Sequence, residues 1–504
     1  MLRVITKLKS FKPSQSSIPT PICVEISSRV LQAAPSTLPR SDFIKECQAL
    51  SIPELRQRQP KDAGLKCSLS EYLKGDPDVV EALVPTEISK HRSSVMEFLS
   101  REKDRKCGHT HVLILAGAEL TPGFHFRQRS EFLHLCDCLV PGMLLVVLRN
   151  RKMVLHTVLC EPRREQQLDD KLAEIACQRY QVDQLLTLPQ LKQLLCRRCN
   201  HSSVKLWFSL EKTALSKYIQ ELSEQLRLPI DCPRQLLEYA RSFKTPQEME
   251  VIRRSHRIAA QSMQQLIAEH APRQSMEQMR ALFAYKCQLQ FAHQPLPFEP
   301  KCYKGSGQLW LMNAACQYAG YCGILARTWP ISGRFTPPQK VIYNMLLGIR
   351  DKLFYLCGKR ENIVHTPREL HVVYLTLLGE QLMLLGVLPS TIKKSKELQK
   401  AAAGFTCFPS SIKHVGLDLQ ESSEQLLDYP LKPGNVLAFQ LSICIPQTCH
   451  QAYPEFRGIY CVLADSIHIT EQHQVELLTE DCSSVARDVE QLRTGCLRME
   501  RFAN

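Results

Sequence analysis

The ten residues Arg327-Thr328-Trp329-Pro330-Ile331-Ser332-Gly333-Arg334-Phe335-Thr336 constrain the fold of this chain more than any other stretch. Trp329, Pro330 and Phe335 are packing and turn residues, and Arg327 is a cation able to pair with an acid or a carbonyl. Such a block needs a core built around it. The chain can supply one: it has 504 residues, 44% of them hydrophobic, which implies two or three domains and excludes global disorder. No apolar run reaches the roughly 18 residues of a membrane helix. The longest, Met143 to Leu148 and Val341 to Leu347, read as core strands or helix faces.

The net charge is +14, but the charges are scattered, with only short clusters such as Lys393-Lys394-Ser395-Lys396. No array of basic and aromatic residues suggests base stacking, so nucleic acid is not an expected partner. Of the 22 cysteines, Cys196 and Cys199 form a lone CxxC, and His109 and His111 form an HxH. Neither has a second ligand pair at metal-site spacing, and buried reduced thiols are the better reading. The first acidic residue is Glu25, whereas Arg3, Lys7, Lys9 and Lys12 precede it. Leu2, Val4, Ile5, Leu8 and Phe11 can share one side of a helix. This is the composition of a mitochondrial transit peptide. Prolines then interrupt the chain up to Pro53, so residues 1–60 read as presequence and linker.

Residues 61–235 alternate helical and strand-like patterns, as an α/β domain would. His111 to Gly117, Met143 to Leu148 and Lys205 to Phe208 read as strands, Ser93 to Phe98 as helix, and Gln166 to Leu195 as a helix-rich connector. A second domain spans 240–504. Its first helix has a clear start: Thr245 can cap, Pro246 suits the first turn, and Glu248 stands three residues after the cap.

Several blocks together resemble the aminopeptidase P family, the dimetal peptidases that remove an N-terminal residue preceding proline. They are Arg327 to Thr336, Phe126 to Leu135, Arg241 to Glu250, Pro409 to Leu419 and Lys432 to Ile459. The resemblance covers most of residues 90–485. It implies an α/β (α+β) fold: an N-terminal creatinase/aminopeptidase P-like α/β domain, then a pita-bread, metallopeptidase-like domain of long helices on antiparallel sheet. In the family two divalent ions, bridged by water or hydroxide, are held by two Asp, one His and two Glu. Hard ions such as Mn²⁺ need such oxygen donors, and the pair acidifies the bridging water into a nucleophile.

Matched to this chain, the five ligand positions read Asn313, Ile324, His414, Gln440 and Ala464. His414 matches the histidine, with a one-residue deletion placed just after it and Lys413 replacing a glycine just before it. Gln420 replaces a histidine that in the family contacts substrate or the developing charge, and Arg457 lies in the block preceding the last glutamate; both are assigned to the substrate cleft. A further substrate-binding histidine has no assigned counterpart between His293 and Lys304. Asp465 adjoins Ala464 but should point to the other side of its strand, and Asp418 could lie nearer. Cys302, Cys316 and Cys322 lie near the former site without an identified base. Isosteric Asn and Gln keep the packing, and neutral residues are what a metal-free version of the site requires, because clustered carboxylates without a cation repel and are costly to bury.

The resemblance therefore implies a mitochondrial Xaa-Pro aminopeptidase-like protein that is a non-catalytic homologue. No intact catalytic residue and no cofactor are expected. The alternative is an active manganese-dependent metallo-aminopeptidase holding two Mn ions. The partners it implies are peptide N-termini in the old cleft, and a homodimer or a heteromer with an active paralogue.

Overall fold

The computed structural model describes residues 85–495, apart from 104–109, 120–125, 151–153, 163–169, 200–203, 210–213, 272, 294–300, 305–308, 359–365, 409 and 422–425. The presequence and linker expected over 1–60 lie outside the described residues.

Helix α1 (Pro85–Lys103) leads into β1 (Thr110–Ala116), the short α2 (Ser130–Leu135), β2 (Leu144–Arg149) and β3 (Leu155–Cys160). Then come α3 (Asp170–Tyr180), β4 (Gln184–Leu186), α4 (Leu188–Arg198), β5 (Val204–Phe208), α5 (Ala214–Leu226), β6 (Ile230–Asp231) and α6 (Arg234–Arg241). The strands form one sheet in the order β4-β3-β2-β1-β5-β6, mixed in direction. Alternate residues feed opposite cores. Leu113, Leu145 and Val147 pack with α1, α2 and α3, whereas Val112, Ile114 and Val146 pack with α4 and α5. A sheet covered on both faces has continuous apolar strands, which is why β1 and β2 were visible in the sequence. The segment 166–195 proves to contain β4 between two helices, and β3 was not foreseen. Trp207 Nε1 donates to His111 Nδ1 at 3.1 Å, so that histidine serves the core. Cys196 and Cys199 are free thiols at the end of α4, one exposed and one buried.

The second half opens with α7 (Pro246–Glu269), whose start follows the sequence expectation. Thr245 Oγ1 accepts from Glu248 N at 3.2 Å, and Thr245 N donates to Glu248 Oε2 at 2.8 Å. Next come α8 (Met276–Gln288), β7 (Lys301–Lys304), β8 (Leu309–Tyr318), β9 (Tyr321–Pro330), α9 (Pro337–Cys357), α10 (Pro367–Leu384) and α11 (Ser395–Ala402). The chain finishes with β10 (Ile412–His414), β11 (Val436–Cys444), β12 (Tyr460–Ile469), β13 (Val475–Leu477) and α12 (Ala486–Thr494). An antiparallel sheet results, in the order β10-β11-β12-β9-β8-β7, with β13 paired to β12.

Helices α7 to α10 cover one face of this sheet. Leu346, Leu353, Tyr374 and Leu378 meet Trp329, Leu437, Phe439 and Leu441 there. Helix α7 lies so close that a Cβ at Gly323 would stand 2.6 Å from the Ser255 carbonyl oxygen. The other face carries a smaller cluster, Ala315, Ile324, Val436 and Ala438, joined by Ile88 of α1 and packed against by Leu133 of α2. Elements of the first sheet's layer thus reach the uncovered face of the second, and the site lies on that face.

Candidate functional site

Lateral strand pairing sets the site. Asn313 stands opposite Ala326, Ala326 opposite Ala464, and Ala464 opposite Gln440. Directly opposed residues project from the same face of a sheet. One row across β8, β9, β12 and β11 therefore carries Asn313, Ala464 and Gln440. Ile324, two residues before Ala326, leaves on the same face. Four of the five positions singled out from the sequence come together. Ile324, Gln440 and Ala464 are buried, and Asn313 Oδ1 is buried without a hydrogen-bond partner among the described residues.

The fifth position does not join them. His414 pairs with Leu437, Lys413 with Ala438, and Val415 N donates to Val436 O at 3.1 Å. Leu437 and Gln440 are three residues apart on an unbulged strand, so they point to opposite faces. The surrounding cores agree: Ile412 and Leu437 belong to the helix-covered side, Val415 and Ala438 to the other. His414 therefore points toward the helix side, and the expectation that it is the retained ligand of this row is corrected. Among the described residues its two ring nitrogens are buried without partners, and burial with the Lys244 charge pushes it down to about 3, so the ring is neutral. Lys413 takes the face of the row instead. It is half-buried, burial lowers its pKa, and no acid pairs with it among the described residues. Nothing in the local sequence marks Lys413 for this position.

The nearby carboxylates are committed elsewhere. Asp465 projects from the opposite face to Ala464, as expected, and accepts from Arg327 Nη2, Arg350 Nη1 and Thr479 Oγ1, each at 2.7 Å. Asp418, which could have lain nearer the row, is held by Arg127 at 3.0 Å, Ser130 at 2.7 Å and Arg241 at 3.1 Å. Those partners belong to the first sheet's layer, so Asp418 ties the two halves together. Gln420 is exposed, and Arg457 braces its own loop by donating to Ala452 O at 2.9 Å and His450 O at 3.0 Å.

Neither Cys316 nor Cys322 is placed to act as a nucleophile at the row. Cys316 points to the helix side, where its thiol donates to Ser255 O at 3.3 Å, and Cys287 beside it together with burial raises its pKa. Burial likewise pushes the Cys322 thiol up, and the side chain of Cys302 lies outside the described residues. A buried thiol held neutral is a poor nucleophile.

Comparison with known proteins agrees with this architecture. The pattern of metallopeptidase family M24 matches residues 250–472. Xaa-Pro aminopeptidase 3 of Rattus norvegicus is 24% identical over 522 residues, covering 95% of this chain and 99% of that protein. The mitochondrial intermediate cleaving peptidase 55 of Arabidopsis thaliana is 26% identical over 393 residues, covering 74% and 75% of the two chains. Among solved structures, the low-pH form of aminopeptidase P from E. coli superposes with a TM-score of 0.70 at 20% identity, covering 83% of this chain and 100% of that one. The chain resembles the aminopeptidase P family, and its second half has the pita-bread fold. Among the described residues no helix is long and apolar enough to cross a membrane.

Proposed function

We propose that this chain is a non-catalytic relative of the Xaa-Pro aminopeptidases whose old cleft serves binding. The observation that carries the reading is the row Asn313, Ala326, Ala464 and Gln440, joined by Ile324 and Lys413 and, among the described residues, by no carboxylate. Two divalent ions bring four positive charges and need anionic oxygen donors. This row offers two neutral amides, three alkyl groups and a cation, so the residues present do not fit a dimetal centre. The strand register also supports moving the one-residue deletion. Taking it out from behind His414 and putting it upstream brings Lys413 onto the family histidine's position. On that reading none of the five ligands is kept, and an ammonium stands where a metal ligand would be.

Lys413 also bears on the partner. While protonated it repels the amino terminus of a peptide and attracts an acidic group. Of the partners considered, a protein surface, such as a second copy or an active paralogue, suits the cleft better than a free peptide N-terminus. A mitochondrial address is supported by the basic, acid-free start of the chain and by the likeness to a mitochondrial relative. A reporter fused to residues 1–60 is expected to enter mitochondria; a diffuse cytosolic signal would remove that part of the proposal.

The central test is an Xaa-Pro peptide assay on the purified full chain with added Mn²⁺, run beside an active aminopeptidase P. No Mn²⁺-dependent release of the N-terminal residue is expected. Robust release, lost on chelation and restored by Mn²⁺, would establish the active-enzyme alternative.

A further inference from the structure

Away from the strand row, His91 of α1, His134 of α2 and Glu248 of α7 meet in the interior, where the first sheet's layer packs on the second half. They are 5%, 3% and 1% exposed. His91 Nε2 lies 3.4 Å from Glu248 Oε2, and His134 Nδ1 lies 3.8 Å from Glu248 Oε1. The two imidazoles stack with centroids 4.1 Å apart and planes 14° from parallel. One donor atom from each residue falls within 4.8 Å of the other two. Ligands around a tetrahedral Zn²⁺, each about 2.0–2.1 Å from the metal, are themselves separated by roughly 3.3–3.5 Å.

The hydrogen bonds around the cluster leave the right atoms free. His91 Nδ1 faces His134 O at 3.1 Å, so Nδ1 carries the proton and Nε2 is left with a lone pair. Among the described residues, His91 Nε2 and His134 Nδ1 are both buried without a hydrogen-bond partner. Glu248 is oriented from outside the cluster: Tyr321 Oη donates to Oε1 at 2.8 Å and Thr245 N to Oε2 at 2.8 Å. Each carboxylate oxygen retains a lone pair. Outer contacts of this kind fix ligands in metal sites.

A second proton on His91, which Glu248 favours, would satisfy that ring and the carboxylate. It would leave His134 Nδ1 with nothing, and a buried nitrogen without a partner is costly. A divalent cation satisfies all three groups at once. We infer that His91 Nε2, His134 Nδ1 and a Glu248 oxygen form a structural site for a borderline divalent ion, Zn²⁺ above all, clamping α1 and α2 to α7. Two imidazoles and one carboxylate suit Zn²⁺ better than the oxygen-seeking Mn²⁺, and water completes the tetrahedron. The site shares no residue with the strand row and is independent of whether that row is active.

The test uses the full chain stripped with a chelator and titrated with Co²⁺ and Zn²⁺. One equivalent of Co²⁺ should give visible d–d absorption, and Zn²⁺ should displace it and raise the melting temperature. His91→Gln and His134→Gln should each weaken binding at least about tenfold, the least that loss of even an outer contact costs. Lys413→Ala and His414→Ala should leave it unchanged. Absence of saturable Co²⁺ binding by the unmodified chain, with no Zn²⁺ effect on melting, would overturn the inference even if the variants do not fold. So would binding that survives the double substitution at His91 and His134.

Discussion

Replacing Asp465 with alanine is expected to destabilise the protein by about 3–5 kcal/mol, the cost of removing one partner from a buried ion pair. Asp465 is 1% exposed and anchors two arginines and a threonine on the helix side of β12. Its main partner, Arg327, is also 1% exposed and donates in addition to Ala464 O at 2.8 Å and Cys482 O at 2.6 Å. Deleting the carboxylate leaves that guanidinium buried with carbonyls alone. Arg350 is less deeply placed and can turn to Asp351, so most of the loss should come from Arg327. Asp465→Asn, which keeps hydrogen-bond acceptance but removes the charge, should cost less. Denaturant unfolding followed by circular dichroism measures both. A loss below about 1 kcal/mol for the alanine variant would show that the network contributes no more than an exposed pair does.

The second large effect concerns the strand row. A variant carrying Asn313→Asp, Ile324→Asp, Lys413→His, Gln440→Glu and Ala464→Glu should be several kcal/mol less stable than the natural chain when metal-free. Four carboxylates on adjoining strands repel one another and lose solvation. Mn²⁺ should return much of that stability, because binding only the folded state stabilises it by mass action. The natural chain should show no Mn²⁺ response attributable to this row. The strand register makes a sharper demand. The set with Lys413→His should respond to Mn²⁺ more strongly than the same set with Lys413 unchanged, and adding His414→Ala should make little difference. Equal responses with and without Lys413→His, combined with loss on His414→Ala, would return the ligand position to His414. Regained hydrolysis is not part of this expectation, since Gln420 still replaces a substrate-contacting histidine.

Local chemistry made some of the fold legible in the sequence. Thr245, Pro246 and Glu248 specify a helix start with their own atoms, and the start of α7 agrees. The apolar runs of β1 and β2 declared themselves because both faces of that sheet are covered. That Asp465 faces away from the strand row followed from the alternation of a strand alone. β3 was missed, and so was the three-residue β4, since so short a segment as β4 carries little periodic signal beside the helices that flank it.

What the sequence by itself determined, then, is the family pattern, the helix caps and the neutral or basic residues of the strand row, all written in contiguous residues. Tertiary structure alone decided which side chain at the end of β10 faces that row. A one-residue deletion can be placed on either side of Lys413-His414, and each placement sends a different side chain to the site. Only the hydrogen-bonded register with β11, which sets Lys413 opposite Ala438, chooses between them. The same holds for His91, His134 and Glu248. They are far apart along the chain on three different helices, and no local pattern relates them. Their contact exists because burying the apolar faces of two separate layers forces those helices together.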